Sequence, residues 1–476
     1  MSNKRLSRRE FLSLSGTAAV GAVLAACTPA ATPAPTTAPT SAPAATSAAA
    51  ATQAPAPTTA PTAAPAVTGH VVVMHNIKSG EFSDKQRQQF EAKYPGITVE
   101  LVETDLTRYF AMYAAGNPPD LVRVQAPSVP PYLARKMLHD LTAYFQASTE
   151  LHPDDLAPAN TYYQAQDPLH VGSGKIYGMV KDWSPDFTLF AYKKAFTDKN
   201  IPLPDLTKPL TYQQAYDLGK QLAAFDGDRI KTFGFDYQDV WVDRMWMNML
   251  GETGDLLYSS DYSKIVLAGN DKTRAIVQYF FNHAKDKLGA VGSIIPSPSW
   301  IGDDFDKGLV GLLMYGYWFS AMAETDVTKD QVAFLPAPTW AGVQRDPTMT
   351  ATGMVMAGST KVANAAWKVF QWYNAEEPAL DRAGSGWGVP ALKSLYSKMP
   401  TTPAFQQQVQ TVLKNELALG TAPLQFNPYV GETTVPNAWL QYLQQALTGS
   451  LTFDKMLANI ETDVNAAIAD GKAAIS

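Results

Sequence analysis

Residues 174–196 read GKIYGMVKDWSPDFTLFAYKKAF, and the reading of this stretch decides how the rest of the chain is understood. A turn, Gly172-Ser173-Gly174, leads into the apolar run Ile176-Tyr177-Gly178-Met179-Val180. A polar and aromatic patch follows, Lys181-Asp182-Trp183-Ser184-Pro185-Asp186. A second apolar run, residues 187–192, closes the stretch. A packed strand does not normally hold Trp, Asp and Pro together, because proline cannot donate to a ladder and a buried Asp needs a partner. Two strands with a Trp and two carboxylates exposed between them predict a hinge beside a cleft. A surface hairpin with a solvated loop is the alternative that this stretch alone leaves open.

Working outward, the N-terminal side shows a β-α-β rhythm. Val71-Val72-Val73-Met74 is continuously apolar, as a strand covered on both faces requires. Residues 82–94 have helical spacing, with Phe82, Phe90 and Tyr94 on one side, and Pro95-Gly96 stops them. A strand over 97–102, a helix over 105–115 and a third strand, Leu121-Val122-Arg123-Val124, follow. This order requires parallel pairing and a right-handed crossover. Residues 133–145 read as a helix, or a helix and a turn. Further on, Thr211 with Gln214 forms a capping box ahead of Ala215, Leu218 and Leu222. Residues 241–250 and 361–374 read as helices and 309–315 as an apolar strand. The last third is helix-rich, over 405–419, 438–447 and 453–472. At 476 residues there is length for a large two-domain core.

The first residues are an address. Ser7-Arg8-Arg9-Glu10-Phe11-Leu12 resembles a twin-arginine export signal, and the apolar run over 12–26 is too short to span a bilayer. It ends in Leu24-Ala25-Ala26-Cys27, which resembles a bacterial lipobox whose cysteine is lipidated after cleavage. Cys27 is the only cysteine, which excludes an intramolecular disulfide and a cysteine-based metal site. Residues 28–68 are Ala, Thr, Pro and Ser with hardly anything else. Without charge or aromatics they predict a disordered tether, with a reach on the order of 100 Å in extended form. The expected division is therefore a signal over 1–26 and a tether over 27–68. Removal of the signal leaves 34 basic and 43 acidic side chains, net −9. That charge argues against nucleic acid as a partner and against electrostatic adhesion to anionic lipid, leaving acylated Cys27 as the expected membrane contact.

A series of short motifs resembles one family. In order these are Tyr94-Pro95-Gly96-Ile97-Thr98-Val99-Glu100, Ala115-Gly116-Asn117-Pro118-Pro119-Asp120-Leu121, Leu138-His139-Asp140-Leu141-Thr142 and Gly174-Lys175-Ile176-Tyr177-Gly178. Phe305-Asp306-Lys307-Gly308, Gly316-Tyr317-Trp318, Phe334-Leu335-Pro336-Ala337-Pro338, Asn364-Ala365-Ala366-Trp367-Lys368 and Gly386-Trp387-Gly388-Val389-Pro390 continue it. The series is similar to the extracellular solute-binding proteins, family 1, of ABC importers, a group that includes maltodextrin- and oligosaccharide-binding lipoproteins. The chain departs from that pattern at Met74-His75-Asn76 and at Ala191-Tyr192-Lys193-Lys194. The resemblance implies a periplasmic-binding-protein-like α/β fold, two lobes with a cleft between them and several hinge crossings, here near 180–182, 333–336 and 374–386. Lobe 1 would be 69–181 with 335–377, and lobe 2 would be 182–334 with 388–476. It implies hinge closure around a carbohydrate and delivery to permease subunits, by an exported, lipid-anchored monomer without a cofactor.

A sugar ring offers a C–H face to aromatics and hydroxyls to amides and charges, so its cleft needs both. The candidates by position are His75 and Asn76, Arg123 and Gln125, Asp182, Trp183 and Asp186, Trp241, Tyr317 and Trp318, and Trp387. Trp367, Trp372 and Trp439 lie within helical patterns and are expected in the core. No HExxH, phosphate loop, nucleophile elbow or kinase set is present. The six histidines lack metal-ligand spacing, and Asp303-Asp304-x-Asp306 reads as a cap cluster preceding 305–309. The alternatives that remain are another solute (polyol phosphate, polyamine, peptide or iron) and an exported saccharide hydrolase.

Overall fold

The computed structural model describes residues 67–420 and 422–475. The export signal, Cys27 and the tether up to residue 66 lie outside the described residues. The first strand, Gly69–His75, pairs in parallel with Ile97–Glu103 from Gly69↔Ile97 through His75↔Glu103, and with Leu121–Val124 on its other side. Helices Asp84–Lys93 and Leu106–Ala114 make the two crossovers. Their starts follow from local chemistry. Ser83 and Gln86 form a reciprocal capping box, and the Asp105 carboxylate caps the Arg108 amide. The capping box expected at Thr211 and Gln214 opens helix Tyr212–Leu222.

Two strands from later in the chain complete the first sheet. Its order is Ile97–Glu103, Gly69–His75, Leu121–Val124, Gly353–Met356, Gly178–Val180. The second sheet runs Val332–Leu335, Leu189–Tyr192, Val310–Met314, Arg229–Tyr237, Ala224–Asp226. Every residue of its three apolar strands, Val332–Leu335, Leu189–Tyr192 and Val310–Met314, is buried, because helices pack on the sheet. Each sheet with its helices is one lobe of a mixed α/β fold.

Among the described residues three segments pass between the lobes. The first follows Val180 and pairs Asp182–Trp183 with Val389–Pro390 of the third. The second spans 336–352, later than the expected 333–336, because Val332–Leu335 pairs along its whole length with Leu189–Tyr192 and so stays in the second sheet. The third begins at Gly386, since helices Ala363–Ala375 and Glu377–Ser385 fill the expected 374–386. Two glycines make these passages possible. Gly388 has φ +125°, a conformation that side chains disfavour. A Cβ on Gly316 would overlap Asp186 Oδ1 and Ser184 Oγ.

Local expectations differ in three places. Residues 133–145 split into Val129–Ala134 and Thr142–Ala147, with Lys136 at φ +56° between them. Gly172-Ser173-Gly174 is not a turn but part of strand His170–Ile176, which pairs irregularly with Gln164–Asp167; the positive φ of both glycines accommodates the irregularity. Asp303 and Asp304 lie in the first turn of helix Ile301–Asp306 itself, where Asp304 accepts hydrogen bonds from Ser297 and Ser299. Among the described residues no helix is long and apolar enough to cross a membrane.

Candidate functional site

The parallel strands of both sheets end at the seam between the lobes. Asn76 follows Gly69–His75, Arg123 and Gln125 end Leu121–Val124, Lys181 follows Gly178–Val180, Gln238 follows Arg229–Tyr237 and Tyr315 follows Val310–Met314. All of them line one cavity of about 330 Å³, at the carboxyl ends of the strands where open α/β sheets hold ligands.

The first lobe supplies a polar floor. Arg123 grips Glu81 with two bonds, Nε to Oε2 at 2.8 Å and Nη2 to Oε1 at 3.0 Å. Lys181 Nζ lies 3.5 Å from Glu81 Oε2 and also bonds Asp182. Asn76 Nδ2 donates to Glu81 Oε1 at 3.3 Å. Burial alone would raise the Glu81 carboxyl, but Lys181 and Arg123 outweigh it and hold the group well below the usual carboxylate range. Burial pushes the Asp182 carboxyl up, against the pull of Lys181. Two cations and two carboxylates thus compensate one another. Thr350 and Thr352, on the second crossing, add hydroxyls to the lining.

The second lobe supplies an aromatic wall. Trp300 is stacked on Tyr315 and Trp318, with ring centroids 6.0 and 6.2 Å apart. Tyr315 and Trp318 are 4.9 Å apart, Trp241 is 6.1 Å from Tyr315, and Trp387 of the third crossing is 6.4 Å from Trp318. Trp300 is 40% exposed, and Trp183, Trp241, Trp318 and Trp387 are half-buried. Gln238 accepts the Tyr315 hydroxyl at 2.7 Å.

Of the eleven candidates, Asn76, Arg123, Gln125, Asp182, Trp183, Trp241, Trp318 and Trp387 line this cavity. Three lie behind its wall. His75 is fully buried, edge-on to Phe82 and Tyr373, and burial pushes its imidazole well down, so the ring is neutral. Asp186 is fully buried and accepts from Ser184 Oγ (2.6 Å), Thr348 Oγ1 (3.0 Å) and the amides of Met349 (2.6 Å) and Thr350 (3.3 Å). It pins the first crossing to the second. Tyr317 is fully buried, and its hydroxyl accepts from Gln410 at 3.2 Å on helix Ala404–Ala418. Trp367, Trp372 and Trp439 are buried in the core, as expected.

Sequence reasoning missed Glu81, Lys181, Ser184, Gln238, Val240, Trp300, Tyr315, Thr350 and Thr352. Lys181 stood beside two chosen residues, and its adjacency to Asp182 was a usable signal. Glu81 lies in a loop with no pattern, and only the fold brings Arg123 to it. Among the described residues no group of three or more His, Cys, Asp or Glu side chains is arranged to hold a metal ion.

Two α/β lobes, three crossings and a cleft with a polar and an aromatic side define a solute-binding protein. The chain belongs to the bacterial extracellular solute-binding protein family, whose model matches residues 85–411. Solved structures share the fold. An ABC substrate-binding protein from Listeria monocytogenes, in complex with cycloalternan, is 18% identical with a TM-score of 0.71, over 84% of this chain and 99% of that one. A solute-binding protein from Agrobacterium vitis with bound D-mannitol is 17% identical (TM-score 0.65; 86% and 99% covered). The galacto-N-biose-/lacto-N-biose I-binding protein from Bifidobacterium longum, in complex with lacto-N-biose, is 16% identical (TM-score 0.65; 85% and 98% covered). No curated protein matches the chain.

Proposed function

We propose that the protein captures a carbohydrate between its lobes, closes over it about the three crossings, and delivers it to the permease of an ABC importer. The observation that carries this reading is the pairing of an aromatic wall with a charge-compensated polar floor in one cavity. Aromatic faces pack on the C–H face of a sugar ring, and amides, hydroxyls and fixed charges bond its hydroxyls. A floor with two cations and two carboxylates has no net charge for a phosphate or a polyamine to neutralise. The named ligands of the similar structures, an oligosaccharide, a polyol and a disaccharide, are of the same chemistry. In this reading the eight candidates that line the cavity contact the ligand, together with Glu81, Lys181, Gln238, Trp300, Tyr315, Thr350 and Thr352. Lys181 and Arg123 hold Glu81 ionised and so unsuited to act as a general acid, which favours a binding protein over a hydrolase. Export through the twin-arginine-like signal, anchoring through acylated Cys27 and a monomeric state complete the proposal.

The test is thermal unfolding with maltose, D-mannitol and lacto-N-biose, and with spermidine, glycerol phosphate, a peptide mixture and ferric citrate alongside. A ligand at about 100 times its Kd adds roughly 2.7 kcal/mol to the native state. A rise with a saccharide recovered intact supports the reading. A rise with a control alone replaces the ligand class, and disappearance of the sugar turns the protein into a hydrolase.

A further inference from the structure

Arg244 stands on helix Val242–Glu252 of the second lobe, yet its guanidinium is shared among three parts of the molecule. Nη1 donates to Gln125 Oε1 at 3.1 Å, at the end of a first-lobe strand, and to the Met349 carbonyl at 3.1 Å, on the second crossing. Nη2 donates to Glu432 at 2.7 Å, just ahead of helix Thr434–Leu447. The guanidinium lies 5.4 Å from the centroid of the Trp241 ring. The residue is 1% exposed. Gln125 and Trp241 both line the cavity; Arg244 does not.

An arginine only donates, so its partner on Gln125 is necessarily the amide oxygen. The remaining polar group of that side chain is then its NH₂, a pure donor in the cavity lining. A buried arginine placed across a seam also resists separation of its partners, because opening gives up its charge-assisted hydrogen bond to Gln125.

We propose that Arg244 is an interlobe positioning residue, a latch that holds the cleft at its observed width before ligand arrives and fixes the Gln125 amide as a donor to the ligand. This role rests on the reading of the cleft as the solute site, but the latch itself is measurable without any ligand.

The experiment is electron–electron distance spectroscopy on the ligand-free full chain carrying Cys27→Ser, with spin labels at Lys85→Cys and Gln221→Cys, exposed positions on helices of the two lobes. The expected result is one narrow distance distribution. Gln125→Ala, which leaves Arg244 its Met349 and Glu432 partners, lengthens and broadens it, and Arg244→Gln does so more strongly. Gln125→Glu keeps an acceptor for Arg244 and restores the narrow distribution. Circular dichroism certifies that each variant is folded; where Arg244→Gln is not, Gln125→Ala and Gln125→Glu carry the test. A distribution unchanged by Gln125→Ala, or one already broad without substitution, overturns the latch. Failure of the saccharide panel leaves these distances untouched, so the two readings fail separately.

Discussion

Replacing Asp186 by alanine tests whether this residue belongs to the hinge. Its carboxylate receives two hydroxyls and two backbone amides, all buried, and those of Met349 and Thr350 have no rotational freedom to find another acceptor. Each stranded buried donor costs about 1–3 kcal/mol, so the two amides alone give about 2–6 kcal/mol. Burial pushes the Asp186 carboxyl up, which means the charged form already bears a desolvation cost that alanine relieves. The expected net loss is therefore about 2–4 kcal/mol, a large share of a typical stability of about 5–15 kcal/mol. Asp186→Asn keeps one carbonyl oxygen for the two amides and loses less, about 1–2 kcal/mol. Urea unfolding at pH 7, followed by tryptophan fluorescence, reads the difference as a fall in midpoint at unchanged slope. An alanine variant with the wild-type midpoint refutes the hinge assignment. So does one that binds ligand far more weakly while unfolding as the wild type does, because that pattern belongs to a residue touching the ligand.

Glu81→Gln removes the charge that compensates Arg123 and Lys181, and breaking such a buried pair costs about 3 kcal/mol or more by chemical denaturation. The Glu81 carboxyl is depressed in the folded state, so its contribution is full above the unfolded pKa and fades as pH falls through the folded one. Acid unfolding of the wild type is thus expected to be steeper than that of the variant, and parallel curves refute the pairing. Asp243 has the opposite sign: burial raises its carboxyl to about 6, and Oδ1 has no hydrogen-bond partner. Its native form binds more protons than the unfolded chain between about pH 4 and 6, so stability falls as pH rises through that window. Asp243→Asn is expected to stabilise by at most about 3 kcal/mol at pH 7 and not at all near pH 4, and a pH-independent effect refutes the assignment. Trp300→Ala, at a 40% exposed ring, is expected to weaken saccharide binding roughly tenfold by calorimetry with little change in melting; unchanged affinity removes Trp300 from the site.

The fold was legible where apolar patterning and capping chemistry act locally. The run Val71–Met74, the break at Pro95-Gly96 and the pair Thr211 and Gln214 each mark an element that the structure contains. The second crossing was misplaced because the apolar run Val332–Leu335 looks the same whether it passes between lobes or pairs with Leu189–Tyr192, and that pairing is non-local. The cavity lining was legible where a residue follows a strand, as Asn76 and Gln125 do. Asp186 and Tyr317 follow the same rule yet lie behind the wall, Asp186 because it takes the amides of the second crossing and Tyr317 because it opens the short helix Tyr317–Ala321 and meets Gln410. Ser184 and Asp186 then meet across a hydrogen bond that no spacing announces. Glu81 was invisible because its meaning lies in Arg123, forty-two positions away.

In the proposed function, the distribution of chemistry between the lobes couples recognition to motion. The charged floor of Glu81, Arg123 and Lys181 hangs from the first sheet, whereas Trp241, Trp300, Tyr315 and Trp318 hang from the second. A ligand shifts an equilibrium between open and closed forms only by its difference in affinity for the two. A solute bound to the floor alone gains its hydrogen bonds in either form and leaves the equilibrium where it was. One that also reaches the wall gains the aromatic contacts only when the lobes are together, and that gain is what drives closure. In the proposed function the cavity therefore selects twice, first by hydroxyl pattern at a floor with no net charge and then by whether the ligand is thick enough to span it. A saccharide too small for the second step should bind with little change in the distance between the lobes, and the label pair at positions 85 and 221 reads that separation directly.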